Sequence, residues 1–331
     1  ALEPARDVRG AEEALLKHLT VTLASFALLS CTPTAGVTRD GKESPAASGT
    51  TLAGGPGERA VVDPPRDTAH PARNQQLLIE SHGSRMNALF FLASGAGPHP
   101  TLLLLHGLPG NERSLDLAQA VRRAGWNVLT FTYRGAWGSE GDFSLAHSLE
   151  DTAAAMAFLR SPEAVRAHGI DVNRLVIAGH SMGGYAAAHE AAAEHDRQPP
   201  LAGLILLDAW NIAHSATRAS AAGPNGRANM VANLNDFGRA LHGATPDSTA
   251  DEILAQGPGW SLPGLAPKLT RVPILSIYAT HGGAAENKNV AEALRQAGAR
   301  VHTVELDSDH AFADHRIALA SEVVRWLSGP R

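Results

Sequence analysis

The sequence predicts an α/β fold, with a mostly parallel central sheet and helices on both faces. Three observations predict it. Apolar runs of strand length alternate with helix-period stretches over the last two-thirds of the chain. Two strand-like runs around a short Gly-containing turn precede them, which is a hairpin pattern. One unit, Leu175-Val176-Ile177-Ala178-Gly179-His180-Ser181-Met182-Gly183-Gly184, puts a Gly-x-Ser-x-Gly turn between an apolar run and an Ala-rich helical run. That turn alone is cheap: with 32 Gly in 331 residues, chance supplies it in roughly one such sequence in five, so its context carries the argument.

The elements follow in order. Residues 76–81 and 86–92 flank His82-Gly83-Ser84-Arg85 and read as the hairpin. Residues 101–105, Thr101 followed by four leucines, form the apolar run expected of a strand covered on both faces. Residues 115–124 have helical spacing, and Gly125 ends them. Strands are expected at 126–131, 174–178, 201–207, 273–278 and 301–306. Helices are expected at 149–159, 185–194, 290–297 and 317–327. Residues 209–270 break the alternation, with Met230, Val231, Leu234 and Phe237 as apolar anchors. They read either as a lid over the C-terminal edge of the sheet or as helices packed on its flank.

Composition narrows the function. The net charge is −5, there is no basic block, and aromatics are 5% of residues, so nothing points to nucleic acid. The single cysteine, Cys31, excludes an intrachain disulfide and a thiolate cluster. The other part of the chain that stands out is the beginning. Lys17-His18, an apolar run from Leu19 to Leu29, and Ser30-Cys31 have the architecture of a secretory signal, and the run is too short for a spanning helix of about 20 residues. Leu28-Leu29-Ser30-Cys31 resembles a bacterial lipobox, whose cysteine is lipidated. The expectation is an exported cell-envelope lipoprotein anchored at Cys31. The alternatives are an ordinary signal peptide with a periplasmic or secreted product, and a buried apolar helix. Residues 1–31 are therefore read as a signal region with an upstream extension. Residues 32–73, rich in Thr, Pro, Ala, Gly and Ser, are read as a disordered tether, and 74–331 as the folded domain.

A serine hydroxyl needs a base within hydrogen-bond reach, and the base needs an orienting partner. The Gly-x-Ser-x-Gly turn offers Ser181 as nucleophile and the N–H of Met182, at a helix start, as an oxyanion donor. Leu306-Asp307-Ser308-Asp309-His310 follows the last strand, which makes His310 the base; His315, inside the next helix, is the weaker choice. Leu105-His106-Gly107-Leu108-Pro109-Gly110 follows a central strand, and the N–H of Leu108 is the second oxyanion donor. Arg134, in a Gly-broken loop at a strand end, reads as a structural ion pair more than a substrate clamp. The histidines lack metal-ligand spacing, and His-Glu-x-x-His is absent, so neither a metal nor another cofactor is expected.

His106-Gly107-Leu108-Pro109-Gly110, Tyr133-Arg134-Gly135-Ala136-Trp137-Gly138-Ser139, Gly179-His180-Ser181-Met182-Gly183-Gly184 and Asp309-His310 occur in the order found in α/β-hydrolases. The chain resembles the serine-hydrolase branch near the prolyl oligopeptidase-like and serine aminopeptidase-like members, over roughly residues 75–328. The resemblance implies the α/β-hydrolase fold, with the Gly-x-Ser-x-Gly turn as its nucleophile elbow, and a Ser-His mechanism. It implies the substrate poorly. One departure concerns the third catalytic residue. The family places an Asp a few residues after the strand at 273–278, and here Ala279-Thr280-His281-Gly282-Gly283-Ala284-Ala285-Glu286 has none, with the slot near Gly282. Three solutions stay open. Asp208, at the end of the preceding strand, is favoured; Glu286 could reach back; or His310 is oriented by a carbonyl or water. The expected activity is hydrolysis of a small-molecule ester, or less readily an amide or peptide. The rival readings are a lipid-anchored non-catalytic binding module, motivated by the empty acid slot, and an acyltransferase or cofactor-free peroxidase on the same scaffold. Membrane contact is expected only through the lipid anchor, and the sequence leaves the oligomeric state open.

Overall fold

The computed structural model describes residues 55–234, 237 and 239–330. The signal and lipobox at 1–31, and residues 32–54 of the expected tether, lie outside the described residues. The packed chain begins earlier than expected at 74. A 3-10 turn at Pro56–Ala60 docks on the domain, where Ala60 is 1% exposed and its carbonyl accepts from the Arg123 guanidinium. The Pro- and Gly-rich composition hid this anchor, because one buried alanine and one backbone carbonyl leave no periodic signal.

Eight strands form one sheet in the order β1-β2-β4-β3-β5-β6-β7-β8. β1 (Arg73–Ser81) and β2 (Ser84–Leu92) form the hairpin. Its turn is only two residues long, since Ser81 pairs with Ser84, and His82 and Gly83 both take positive φ, as a tight hairpin turn requires. β2 also pairs antiparallel with β4 (Asn127–Phe131). From β4 onward the sheet is parallel, through β3 (His99–Leu105), β5 (Ile170–His180), β6 (Gly203–Leu207), β7 (Ile274–His281) and β8 (Val301–Asp309). Helix α1 (Leu115–Arg123) links β3 to β4, and α2 (Leu145–Arg160) with α3 (Pro162–His168) links β4 to β5. α4 (Met182–Ala193) follows β5. α5 (Ile212–Ala221), α6 (Gly226–Leu234) and α7 (Pro246–Gln256) lie between β6 and β7. α8 (Ala284–Gln296) and α9 (Arg316–Ser328) follow β7 and β8.

The alternation of side chains along the central strands explains the two cores. In β3, Leu103 and Leu105 join one apolar cluster with Phe90, Phe131 and the α2, α4 and α5 side chains, while Leu102 and Leu104 join the other with Val176, Ile205 and the α1 and α9 side chains. β4 and β6 are therefore buried at every position and β3 at all but His99, covered on both faces, with Thr101, Asn127 and Thr130 as buried polar residues among the apolar ones. The 209–270 segment contributes both to the core and to the cleft lining. Ile212, Ala216, Met230 and Ile253 are buried in the first cluster, and Trp210, Asn211 and Leu234 wall the cleft above the sheet.

Candidate active site

Everything at the site is set by the way β5 turns into α4. Ser181 sits between them with φ 55° and ψ −117°, a backbone conformation that costs an L-residue about 1–3 kcal/mol. The surroundings hold it there. Its N–H donates to the Leu207 carbonyl at 3.0 Å, and its own carbonyl accepts from Trp210 N at 2.9 Å and Gly184 N at 2.9 Å. The flanking glycines are sterically required. A Cβ on Gly179 would come within 1.9 Å of the Gly183 carbonyl oxygen, and one on Gly183 within 2.3 Å of the Leu105 carbonyl oxygen. A serine at a helix start normally caps it with its hydroxyl. Here Oγ makes no capping bond, so it is left for chemistry.

The loop after β3 is pressed against this turn. A Cβ on Gly107 would stand 3.0 Å from Ser181 Cβ, so only a glycine lets the chain pass so close. The loop is pinned by His106 Nδ1–H to the Gly107 carbonyl at 2.7 Å, and by Trp137 Nε1–H to the Pro109 carbonyl at 2.8 Å. Leu108 therefore follows a residue in contact with the serine, and Met182 begins the helix on the serine's other side. These are the two positions named as oxyanion donors from the sequence.

His310 directly follows β8. Its Nδ1 is 2.5 Å from Asp208 Oδ2. A carboxylate only accepts, so Nδ1 carries the proton and Nε2 presents a lone pair. The imidazole is half-exposed and lines the same cleft as Ser181, while the Asp208 side chain is fully buried. Among the described residues no hydrogen bond joins Ser181 Oγ to His310; such bonds are commonly long in resting enzymes and tighten with substrate.

Asp208 stands at the end of β6 with φ 42°. Its N–H donates to the Ile277 carbonyl at 2.7 Å, and its carboxylate accepts from Gly283 N at 2.8 Å and Asn287 Nδ2 at 3.3 Å. The carboxylate fills the space that Gly282 leaves empty: a Cβ there would lie 2.3 Å from Asp208 Oδ2. A glycine at 282 thus makes room for the Asp208 carboxylate. Glu286, the other candidate, lines the same cleft but is bound to Asn211 and His214 and makes no hydrogen bond with His310 among the described residues. Its Oε1 accepts from Asn211 Nδ2 at 2.6 Å, and its Oε2 is 3.3 Å from His214 Nδ1. Arg134 is a buried structural ion pair, with Nε 2.5 Å from Asp151 Oδ1 and a further contact to Glu150.

Two positioning residues were not singled out from the sequence. Asn287, 1% exposed, holds Asp208 and ties down the following backbone by accepting from Ala209 N at 3.0 Å. Its signal is only a polar residue on the buried face of α8. His180 donates Nε2–H to the His310 carbonyl at 2.7 Å, and its ring lies 4.7 Å from the His310 ring. Burial pushes the His180 imidazole down to about 4, so it is neutral at pH 7.

The cleft that collects these groups has a volume of about 510 Å³. Leu108, Pro109, Trp210 and Leu234 form its apolar walls, and Asn111, Asn211, His214 and Glu286 its polar ones.

Comparison with solved structures finds the same architecture. Est1E from Butyrivibrio proteoclasticus superimposes with a TM-score of 0.56 at 17% identity, covering 76% of this chain and 96% of that one. A thermostable carboxyl esterase from Bacillus coagulans, in complex with glycerol, gives 0.56 at 17% identity, covering 77% and 98%. An acylaminoacyl peptidase from Pyrococcus horikoshii gives 0.56 at 14% identity, covering 77% of this chain and 41% of that longer one. No curated protein matches the sequence. A family model described as the alpha/beta hydrolase family matches residues 102–322, from within β3 to within α9, and takes in Ser181, Asp208 and His310. With more than half of its length matched, and with the eight-stranded sheet of that fold, this chain belongs to the alpha/beta hydrolase family.

Proposed function

We propose that this chain is a serine hydrolase that cleaves an ester bond through an acyl-enzyme intermediate. The observation that carries the reading is the 2.5 Å bond from His310 Nδ1 to the buried Asp208 carboxylate, in the cleft of a strained and uncapped Ser181. In this reading Ser181 Oγ attacks the acyl carbon while His310 Nε2 takes its proton. Asp208 holds the ring in the required tautomer and stabilises the imidazolium. The N–H groups of Met182 and Leu108 hold the oxyanion, each worth about 10² to 10³ in rate. His310 then returns the proton to the leaving alcohol, and water releases the acid by the same steps reversed. The non-catalytic reading rested on an empty acid slot, and Asp208 removes its motive.

Ser181→Ala is expected to abolish turnover of p-nitrophenyl acetate and labelling by a fluorophosphonate probe. Labelling retained in that variant would overturn the assignment. Turnover of p-nitrophenyl acetate without release of alanine p-nitroanilide separates an esterase from a peptidase. We also propose that Cys31 carries a lipid anchor. In cells fed an alkyne fatty acid, the tag should appear on a mature chain that starts at Cys31 and vanish in Cys31→Ala.

A further inference from the structure

Within the proposed hydrolase cleft, Glu286 has no part in the Ser-His-Asp relay. It stands in the first turn of α8, keeps 21% of its side chain exposed, and lines the same space as Ser181 and His310. Asn211 Nδ2 and His214 Nδ1 hold one oxygen each, which fixes the carboxylate and leaves further lone pairs facing the cleft. No Lys or Arg lines the cleft among the described residues. Asp208, the other acid there, is buried and satisfied by Gly283, Asn287 and His310. The charge a substrate meets there is therefore that of Glu286. Trp210 lines the same cleft, and its Nε1–H is committed to Ser215 Oγ at 2.8 Å. The indole then offers its ring, whose face attracts cations. A fixed, partly desolvated carboxylate and an indole lining one cleft are the two kinds of group that recognise an ammonium.

We infer that Glu286 is a specificity-determining residue that selects substrates carrying a protonated amine and rejects those carrying a second carboxylate. The inference rests on the cleft being the substrate site. It names the substrate class: amino-bearing esters, with the ammonium seated between Glu286 and Trp210.

The test uses three ligands matched in size, benzylammonium, benzyl alcohol and benzoate. Each is measured as a competitor of p-nitrophenyl acetate turnover and, independently of turnover, by calorimetric titration of the intact protein. The ammonium is expected to bind at least tenfold more tightly than the alcohol, and benzoate more weakly than either. Glu286→Gln, which keeps an acceptor for Asn211, is expected to bring all three within about threefold. Equal affinities in the wild type, or a cation preference that survives Glu286→Gln, would overturn the inference. If no ester is turned over but titration shows the Glu286-dependent preference, the hydrolase reading fails and the recognition site stands. If esters are turned over without the preference, the reverse holds.

Discussion

At the scale of single residues, the decisive pair is Asp208 and Gly282. The carboxylate occupies the volume a side chain at 282 would need. Asp208→Asn keeps the shape but removes the acceptor that fixes the tautomer of His310, so kcat for p-nitrophenyl acetate should fall by about 10³ to 10⁴ with the fold intact. Gly282→Ala should lower kcat/KM at least tenfold, because its Cβ would press on Asp208 Oδ2 and come within 3.1 Å of His310 Cα. Gly282 does not take a positive φ, so that loss would report displacement of the acid and not backbone strain. Unchanged kinetics in Gly282→Ala would mean that Asp208 is not the orienting acid. That Ser181 and the loop at Gly107 and Leu108 stand at strand ends was legible in the sequence, because an apolar run precedes each, whereas His310 lies beyond Leu306, the last large apolar residue of its strand. The acid was only favoured, because Asp208 and Glu286 each end up near the cleft and sequence spacing does not give the direction a side chain faces.

At the scale of elements, the segment between β6 and β7 is tied into the domain by its own helices. Glu252 on α7 accepts from the N–H groups of Leu145 and Ala146 at 2.9 Å each, so it caps α2 from a distance of more than a hundred residues. Those N–H groups have no partner within their own helix. Glu252→Ala should therefore destabilise the protein by roughly 1–2 kcal/mol, read as a lower urea midpoint at unchanged m-value. A midpoint within error of the wild type would show that water replaces the cap. The helices of this segment were the least legible part of the chain. α5 and α6 meet through small residues, with a Cβ on Gly226 falling 1.8 Å from the Ala219 carbonyl oxygen, and contacts of that kind leave no stripe of large apolar side chains to read. The central strands were legible for the opposite reason: burial on both faces gives them continuous apolar runs, Leu102 to Leu105 in β3 and Leu204 to Leu207 in β6. Their lengths were less so, since β5 begins at Ile170 and β8 runs to Asp309, past the last large apolar residue.

At the scale of the whole molecule, buried titratable groups set the dependence of stability on pH. Burial pushes His106, His180 and His189 down to about 4 from an ordinary 6.5. Between those values the unfolded chain binds protons that the folded chain refuses, so their contribution is complete above pH 6.5 and is lost as the pH falls towards 4. Glu190 acts in the opposite sense. Burial, reinforced by Glu194, pushes it up to about 7, so the folded chain keeps a proton that the unfolded chain releases above 4.5, and stability is lost as the pH rises through that window. Three histidines outweigh one glutamate, and the urea-unfolding free energy should be lower at pH 5 than at pH 7.5. Glu190→Gln removes the opposing group and should widen that gap by roughly 2 kcal/mol. A gap that narrows in Glu190→Gln would show that Glu190 is ionised in the folded protein at neutral pH.

The docked turn at Pro56–Ala60 has a consequence for chain connectivity. Gly57 packs against Arg325 and Ser321 of α9, the final helix, so the two ends of the described domain are neighbours. The domain is close to a closed ring. A short linker could join its ends, and the chain could be reopened at the exposed hairpin tip of His82 and Gly83 without cutting a strand. Such a circular permutant would keep β5, β6 and β8, with Ser181, Asp208 and His310 at their ends, in unbroken order.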